Sequence, residues 1–148
     1  MKLILLTFAL LITEVLYCAT PDMSDTIEKD FRNAFPKAEQ VKWYKTDLMY
    51  EVVFINDQVS CRMRFLLNGT IDRTIRYYTE EHLPPFILSK IKRKFAGKKV
   101  YGVTEDTSED GVTYYIVLED EDHWLHIQSD AIGNTIITNQ YKKNRNVK

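Results

Sequence analysis

One spacing recurs in this chain and restricts the folds open to it. Tyr50 to Gly69 is 19 residues, and Tyr114 to Gly133 is again 19. Tyr50-x-Val52-x-Phe54 opens the first interval, and Tyr114-x-Ile116-x-Leu118 opens the second. Alternation with a period of two marks a strand with one buried face. Ahead of the first interval stands Phe35, and ahead of the second Phe95. A chain of 148 residues has room for one domain. The spacing therefore predicts one domain made of two similar halves, neither long enough to stand alone.

The elements of each half follow from local chemistry. Asp25 is placed to cap a helix, with Glu28 three residues on completing a capping box. Ile27, Phe31, Ala34 and Phe35 then share one helical face, and Pro36 ends it. Strands are predicted over 41–45 and 50–55, from Val59 onward, and over 70–78. In the third, Val59, Cys61, Met63, Phe65 and Leu67 alternate with Ser60, Arg62 and Arg64. Asn68-Gly69 is a strong hairpin turn, because both residues tolerate positive φ. In the second half Pro84 and Pro85 suit a first helical turn, Ile87, Ile91 and Phe95 form the stripe, and Gly97 suits its end. Strands follow near 99–105, 112–118, 123–131 and 134–140. Phe35 to Phe95 is 60 residues but Tyr50 to Tyr114 is 64, which predicts a longer first hairpin in the second half, at Thr107 to Gly111. The fold class is α+β: two tandem helix-plus-four-stranded antiparallel meander repeats, at about 25–79 and 80–141. One helix per repeat covers one face of the sheet and leaves the other open.

The N-terminus reads as an address. After Lys2, the run Leu3 to Ile12 is apolar except for Thr7. Ten residues span about 15 Å as a helix, half a bilayer core. A charged start, a short apolar stretch and small residues near Cys18-Ala19-Thr20 are the pattern of a secretory signal peptide, 1–19. Cleavage is expected near Ala19. The alternative is lipidation at Cys18, favoured by Val15 and opposed by Tyr17. The domain then spans 20–148, periplasmic or secreted, with a basic tail at 142–148 read as a frayed end. Cys61 would be its only cysteine, so the core rather than a disulfide must hold the fold.

Phe35-Pro36-x-Ala38, Val41-x-Trp43, Tyr50-x-Val52-x-Phe54, Asn68-Gly69 and Leu83-Pro84-x-x-Ile87 together resemble the PepSY-like, β-lactamase-inhibitor-like family of secreted Bacteroidetes proteins. The similarity covers about residues 25–140. It implies a tandem helix-plus-sheet fold, an envelope or extracellular location, no cofactor, and a concave sheet face suited to binding protein. These motifs are packing and turn signatures and say nothing of chemistry.

A search for chemistry returns little. His123 and His126 lie three apart on a predicted strand, hence on opposite faces, and make a poor metal pair. Cys61 shares a face with Met63 and Phe65 and reads as a small buried group. Asp106-x-Ser108-x-Asp110-Gly111 has the start of a calcium loop, but Val117 occupies the position that needs a bidentate Glu. No catalytic, metal or cofactor residue is assigned. Lys plus Arg is 20 against 21 Asp plus Glu, which argues against a general nucleic-acid binder. Basic residues crowd 90–99, and acidic ones from Glu105 to Asp122 crowd two predicted hairpin turns. Solvated surface explains most of them, and a dipole that orients a partner is the functional alternative.

The open face is the sharper lead. If Cys61 and its alternates face the helices, Ser60, Arg62, Arg64 and Leu66 face away, with Val53, Ile55, Tyr115, Val117, Trp124, His126 and Gln128. Tyr44 and Tyr78 are expected beside them. Aromatic and Arg side chains on an uncovered sheet are what binding hot spots use. The function expected is a secreted, non-enzymatic protein-binding module, inhibitor-like in form. Tyr44, Arg62, Arg64, Tyr115, Trp124 and His126 would touch an unidentified protein partner. The alternative is a structural envelope protein that buries the same face on itself as a homodimer, with the membrane involved only through Cys18.

Overall fold

The computed structural model describes residues 25–144. The expected signal peptide, Cys18 and the last four residues lie outside them. The chain runs α1 (Asp25–Ala34), β1 (Glu39–Lys45), β2 (Met49–Asn56), β3 (Val59–Leu66) and β4 (Ile71–Tyr78). A 3-10 turn at Glu80–His82 leads to α2 (Pro85–Lys94), β5 (Lys99–Ser108), β6 (Gly111–Glu119), β7 (His123–Asp130) and β8 (Thr135–Lys142). The strands form one antiparallel sheet in sequence order from β1 to β8. The α+β class, the open antiparallel sheet and its two helices are as expected.

The core follows from the alternation. Tyr50, Val52 and Phe54 on β2 and Val59, Cys61, Met63 and Phe65 on β3 are buried on one face. So are Tyr114, Ile116 and Leu118 on β6 and Leu125 and Ile127 on β7. Ile27 and Phe31 of α1 and Ile87 and Ile91 of α2 complete the cluster. Phe31 meets Phe54 edge-on at 4.9 Å and Trp43 at 5.3 Å. Burying a side chain of this size is worth about 2–3 kcal/mol, so these alternating positions dominate the fold's stability.

Several expectations need correction. Asp25 is the first residue of α1 rather than its cap, and Glu28 accepts a 2.8 Å hydrogen bond from Arg32 Nε one turn on. Leu67 leaves the alternating set at 49% exposure, because the turn at Gly69 (φ +89°) takes the chain out of the ladder after Leu66. The extra residues of the second half lengthen strands instead of a loop. The β5–β6 ladder continues to Ser108 opposite Gly111, leaving only Glu109 and Asp110 in the turn. Glu105 and Asp106 are therefore strand residues, not turn residues. Lys142 closes β8, and the Lys143 amide donates to the Asp122 carbonyl at 2.6 Å, so the tail is anchored this far.

Most of the basic run is held by the fold. Lys90 Nζ donates to the Ile132 carbonyl at 2.7 Å, and Lys94 Nζ to Thr135 Oγ1 at 2.7 Å. Both ties pin α2 to the β7–β8 hairpin. Lys92 pairs with Glu80 at 3.0 Å and Lys98 with Asp120. Asp120 also accepts the amides of Asp122 and His123. The Lys98 ammonium and those amides hold its carboxyl well below the usual range. Solvated and structural pairing accounts for these charges better than a steering dipole does.

Candidate functional site

The sheet has a second face that none of the described helices covers. Register places its side chains. Tyr77, Thr104, Tyr115 and Gln128 form one row across β4 to β7. Gly102, Val117 and His126 form the next, and Glu119, Trp124 and Tyr141 a third. Strands lie about 4.8 Å apart, so Tyr77 and Tyr115 stand about 10 Å from one another across the shorter Thr104. Between them lies a hollow of about 330 Å³. Tyr77, Tyr101, Tyr115, His126 and Thr138 edge it, and Gly102 and Thr104 form its floor. A Cβ added to Gly102 would meet nothing within 4 Å, so the missing side chain leaves part of this space open.

Two of the expected residues, Tyr115 and His126, edge the hollow, and a third, Trp124, packs beside it on Tyr101. Tyr115 is 44% exposed on the rim. Trp124 is half-buried, with Tyr101 edge-on at 4.7 Å and Lys143 Nζ 4.2 Å from its ring centre. Lys143 Nζ also donates to Glu119 Oε2 at 2.6 Å, which fixes the cation over the indole. His126 stacks edge-on against Tyr141 at 5.2 Å. Arg62 and Arg64 lie on the same face in the other half of the sheet. Arg62 pairs with Glu51 at 3.5 Å and Arg64 with Asp72 at 3.8 Å. Tyr44, half-exposed on edge strand β1, is in the Arg64 row and far from the hollow.

Tyr78 is a miss with a clear cause. Counted from the Gly69 turn, strict alternation would put Tyr77 inward and Tyr78 outward. The register shifts between Arg64 and Phe65, where Asp72 is an extra residue on β4. Everything beyond this β-bulge changes face, so Tyr77 lines the hollow and Tyr78 is buried under the helices. Tyr101 was missed for the same reason, since a shift between Val100 and Gly102 turns it onto the open face at 61% exposure. A glycine inside a strand pattern, here Gly102, is the signal that would have found it.

On the helix side, Glu105 is buried within the sheet. Arg76 Nη1 donates to its Oε1 at 3.1 Å and Oε2 at 3.3 Å, and the Tyr78 hydroxyl donates to Oε2. Burial, and then that hydrogen bond, pushes the Tyr78 phenol far above the ordinary tyrosine range. Burial likewise raises the Cys61 thiol, which keeps it protonated and a poor nucleophile. Asp106, the first residue of the calcium-like pattern, is taken by Arg73, whose Nε and Nη2 donate at 2.7 and 2.6 Å. Among the described residues, no three His, Cys, Asp or Glu side chains gather to hold a metal ion. Nor is any described helix long and apolar enough to cross a membrane.

No family model and no curated protein matches this chain. Solved structures do. A BLIP-like protein from Bacteroides fragilis is 15% identical, with a TM-score of 0.58 over 85% of this chain and 92% of that one. A DUF2874 family protein from Bacteroides ovatus is 18% identical, with a TM-score of 0.57 over 81% and 87%. A protein from Bacteroides eggerthii, provisionally described as periplasmic, is 14% identical, with a TM-score of 0.56 over 81% and 88%. At these identities the likeness is one of fold. The expected resemblance to β-lactamase-inhibitor-like proteins of Bacteroides is shown at that level, and none of the three carries the PepSY name.

Proposed function

We propose that this chain is a non-enzymatic protein-binding module of the periplasm or cell exterior, acting through the open face of its sheet. The observation that carries the reading is the set of Tyr77, Tyr101 and Tyr115 around one hollow on that face, with Trp124 packed against Tyr101 beside it. Rigid aromatic side chains give large contact area at low entropic cost and dominate interface energetics. The BLIP-like name of the Bacteroides fragilis structure adds inhibition of a bound enzyme as one form of this activity. Export through segment 1–19, with lipidation at Cys18 as the alternative, belongs to the same reading. So does the origin of the two halves as tandem copies of one helix-plus-meander unit.

The test is capture from a native envelope and secreted extract on immobilised protein, beside Tyr115→Ala and Trp124→Ala. Tyr115→Ala is expected to keep the fold and weaken retention of a specific protein by about 2 kcal/mol, close to 30-fold. Trp124→Ala should act in the same direction. Identical retained proteins on all three columns would sink the reading. In that case self-association gains ground, and β8 supports it, with Ile136 and Ile137 exposed on opposite faces of the last strand. Sedimentation over a range of concentrations would then show a dimer.

A further inference from the structure

The open face is divided into two chemically different zones that share β4. Over β2 to β4 it carries three arginines, Arg62, Arg64 and Arg73, against two acids, Glu51 and Asp72. Arg64 faces Arg73 directly across the β3–β4 ladder, and Arg62 lies two residues along on the same side. Like charges placed opposite one another destabilise a sheet, and only part of the cost is offset here. Arg73 is neutralised by its paired bonds to Asp106. Arg62 and Arg64 have only the loose contacts to Glu51 and Asp72, and the Arg62 side chain is 48% exposed. Lys42 joins them in the Arg62 row, through Val53. Over β4 to β7 the face is the uncharged hollow, floored by Gly102 and Thr104 and flanked by Tyr77 and Tyr115. Arg73 and Tyr77 lie four residues apart on one strand, about 13 Å.

Resting on the binding reading above, we propose the chemistry of the partner. It presents an extended protein segment with carboxylates against Arg62 and Arg64 and, about four residues along, an uncharged aromatic or aliphatic side chain in the hollow. An extended segment projects alternate side chains toward the sheet, so acids at its first and third positions and an anchor at its fifth match the two zones. Carboxylates complement the Arg62 and Arg64 guanidiniums, whose ion pairs to Glu51 and Asp72 are long at 3.5 and 3.8 Å and leave paired donors to offer. A nucleic-acid backbone carries a charge on every unit and would meet Glu51, Asp72 and Asp106 as well as the arginines, whereas two spaced carboxylates need face only Arg62 and Arg64.

The probe is the peptide acetyl-Glu-Ser-Glu-Ser-Phe-Ser-amide, titrated into 15N-labelled protein and followed by amide chemical shifts. Shifts are expected on β3 at Arg62 and Arg64 and on β5 at Gly102 and Thr104. Raising the salt should weaken binding. The Arg62→Ser/Arg64→Ser double variant should lose at least tenfold in affinity, as should the peptide with Lys in place of Glu. Gly102→Val fills the hollow from its floor and should abolish the preference for Phe over Ser at the fifth position. Tyr77→Ala serves the same purpose if the valine variant does not fold. Shifts confined to the helix side of the sheet, equal binding of the lysine peptide, or tighter binding of an oligothymidylate would each overturn the proposal. The capture experiment decides the binding reading separately, so a failed peptide with a successful capture rejects only the partner's chemistry.

Discussion

Glu105→Ala is expected to cost the fold about 2–3 kcal/mol, read as a lower urea midpoint at unchanged slope. Glu105 is 12% exposed at its side chain and receives hydrogen bonds from Arg76 and Tyr78. Without it, a guanidinium and a phenol are left in an apolar wall beside Val103 and Tyr114. Removing one member of a fully buried pair costs about 3–5 kcal/mol. Arg76 is 36% exposed and can turn toward water, which lowers the figure. A double variant, Arg76→Met with Glu105→Leu, should recover most of the loss by replacing the pair with apolar volume. Wild-type stability in Glu105→Ala would show that this cluster holds nothing. The same geometry sets an alkaline limit. The Tyr78 phenol is raised in the folded state, so its contribution is complete below the unfolded tyrosine value of about 10 and declines as pH rises beyond it. Tyr78→Phe should flatten the loss of stability above that pH.

Phe54→Ala should cost more, about 3–5 kcal/mol. Phe54 is 1% exposed and packs against Phe31 at 4.9 Å and Phe35 at 5.0 Å. It joins α1 to β2, so its removal opens a cavity that neither element can close alone. Domains of this size hold about 5–15 kcal/mol in all, so the variant would sit near its unfolding threshold at room temperature. Leu48→Ala is the control. Leu48 is 73% exposed, and its loss should fall within about 0.5 kcal/mol of neutral. Equal effects at the two positions would contradict the assignment of the core to the helix side of the sheet.

The two tyrosines whose faces the alternation does not give share one property. Tyr78 and Tyr101 each lie beyond or at a β-bulge, and one extra residue exchanges the faces of all that follow. Tyr115, Trp124 and His126 were legible because β6 and β7 pair without a shift from Thr113 opposite Asp130 to Glu119 opposite Trp124. Glu105 and Asp106 looked like turn acids because they open an acidic stretch. Their partners Arg76 and Arg73 are 29 and 33 residues away, beyond any local pattern. Gly102 was an available warning that a strand of regular alternation was interrupted.

The sequence by itself determined the local elements, namely the hairpin order, the helical stripes and the buried alternation on β2, β3, β6 and β7. Each depends on residues within one or two turns or strands of each other, where side-chain period and turn chemistry suffice. The tertiary structure alone decided which tyrosines share the open face, which charges are spent on internal pairs, and where the hollow lies. Those depend on register between strands, and register is set by hydrogen bonding and packing across the sheet, where a single bulge outweighs the alternation of a whole strand.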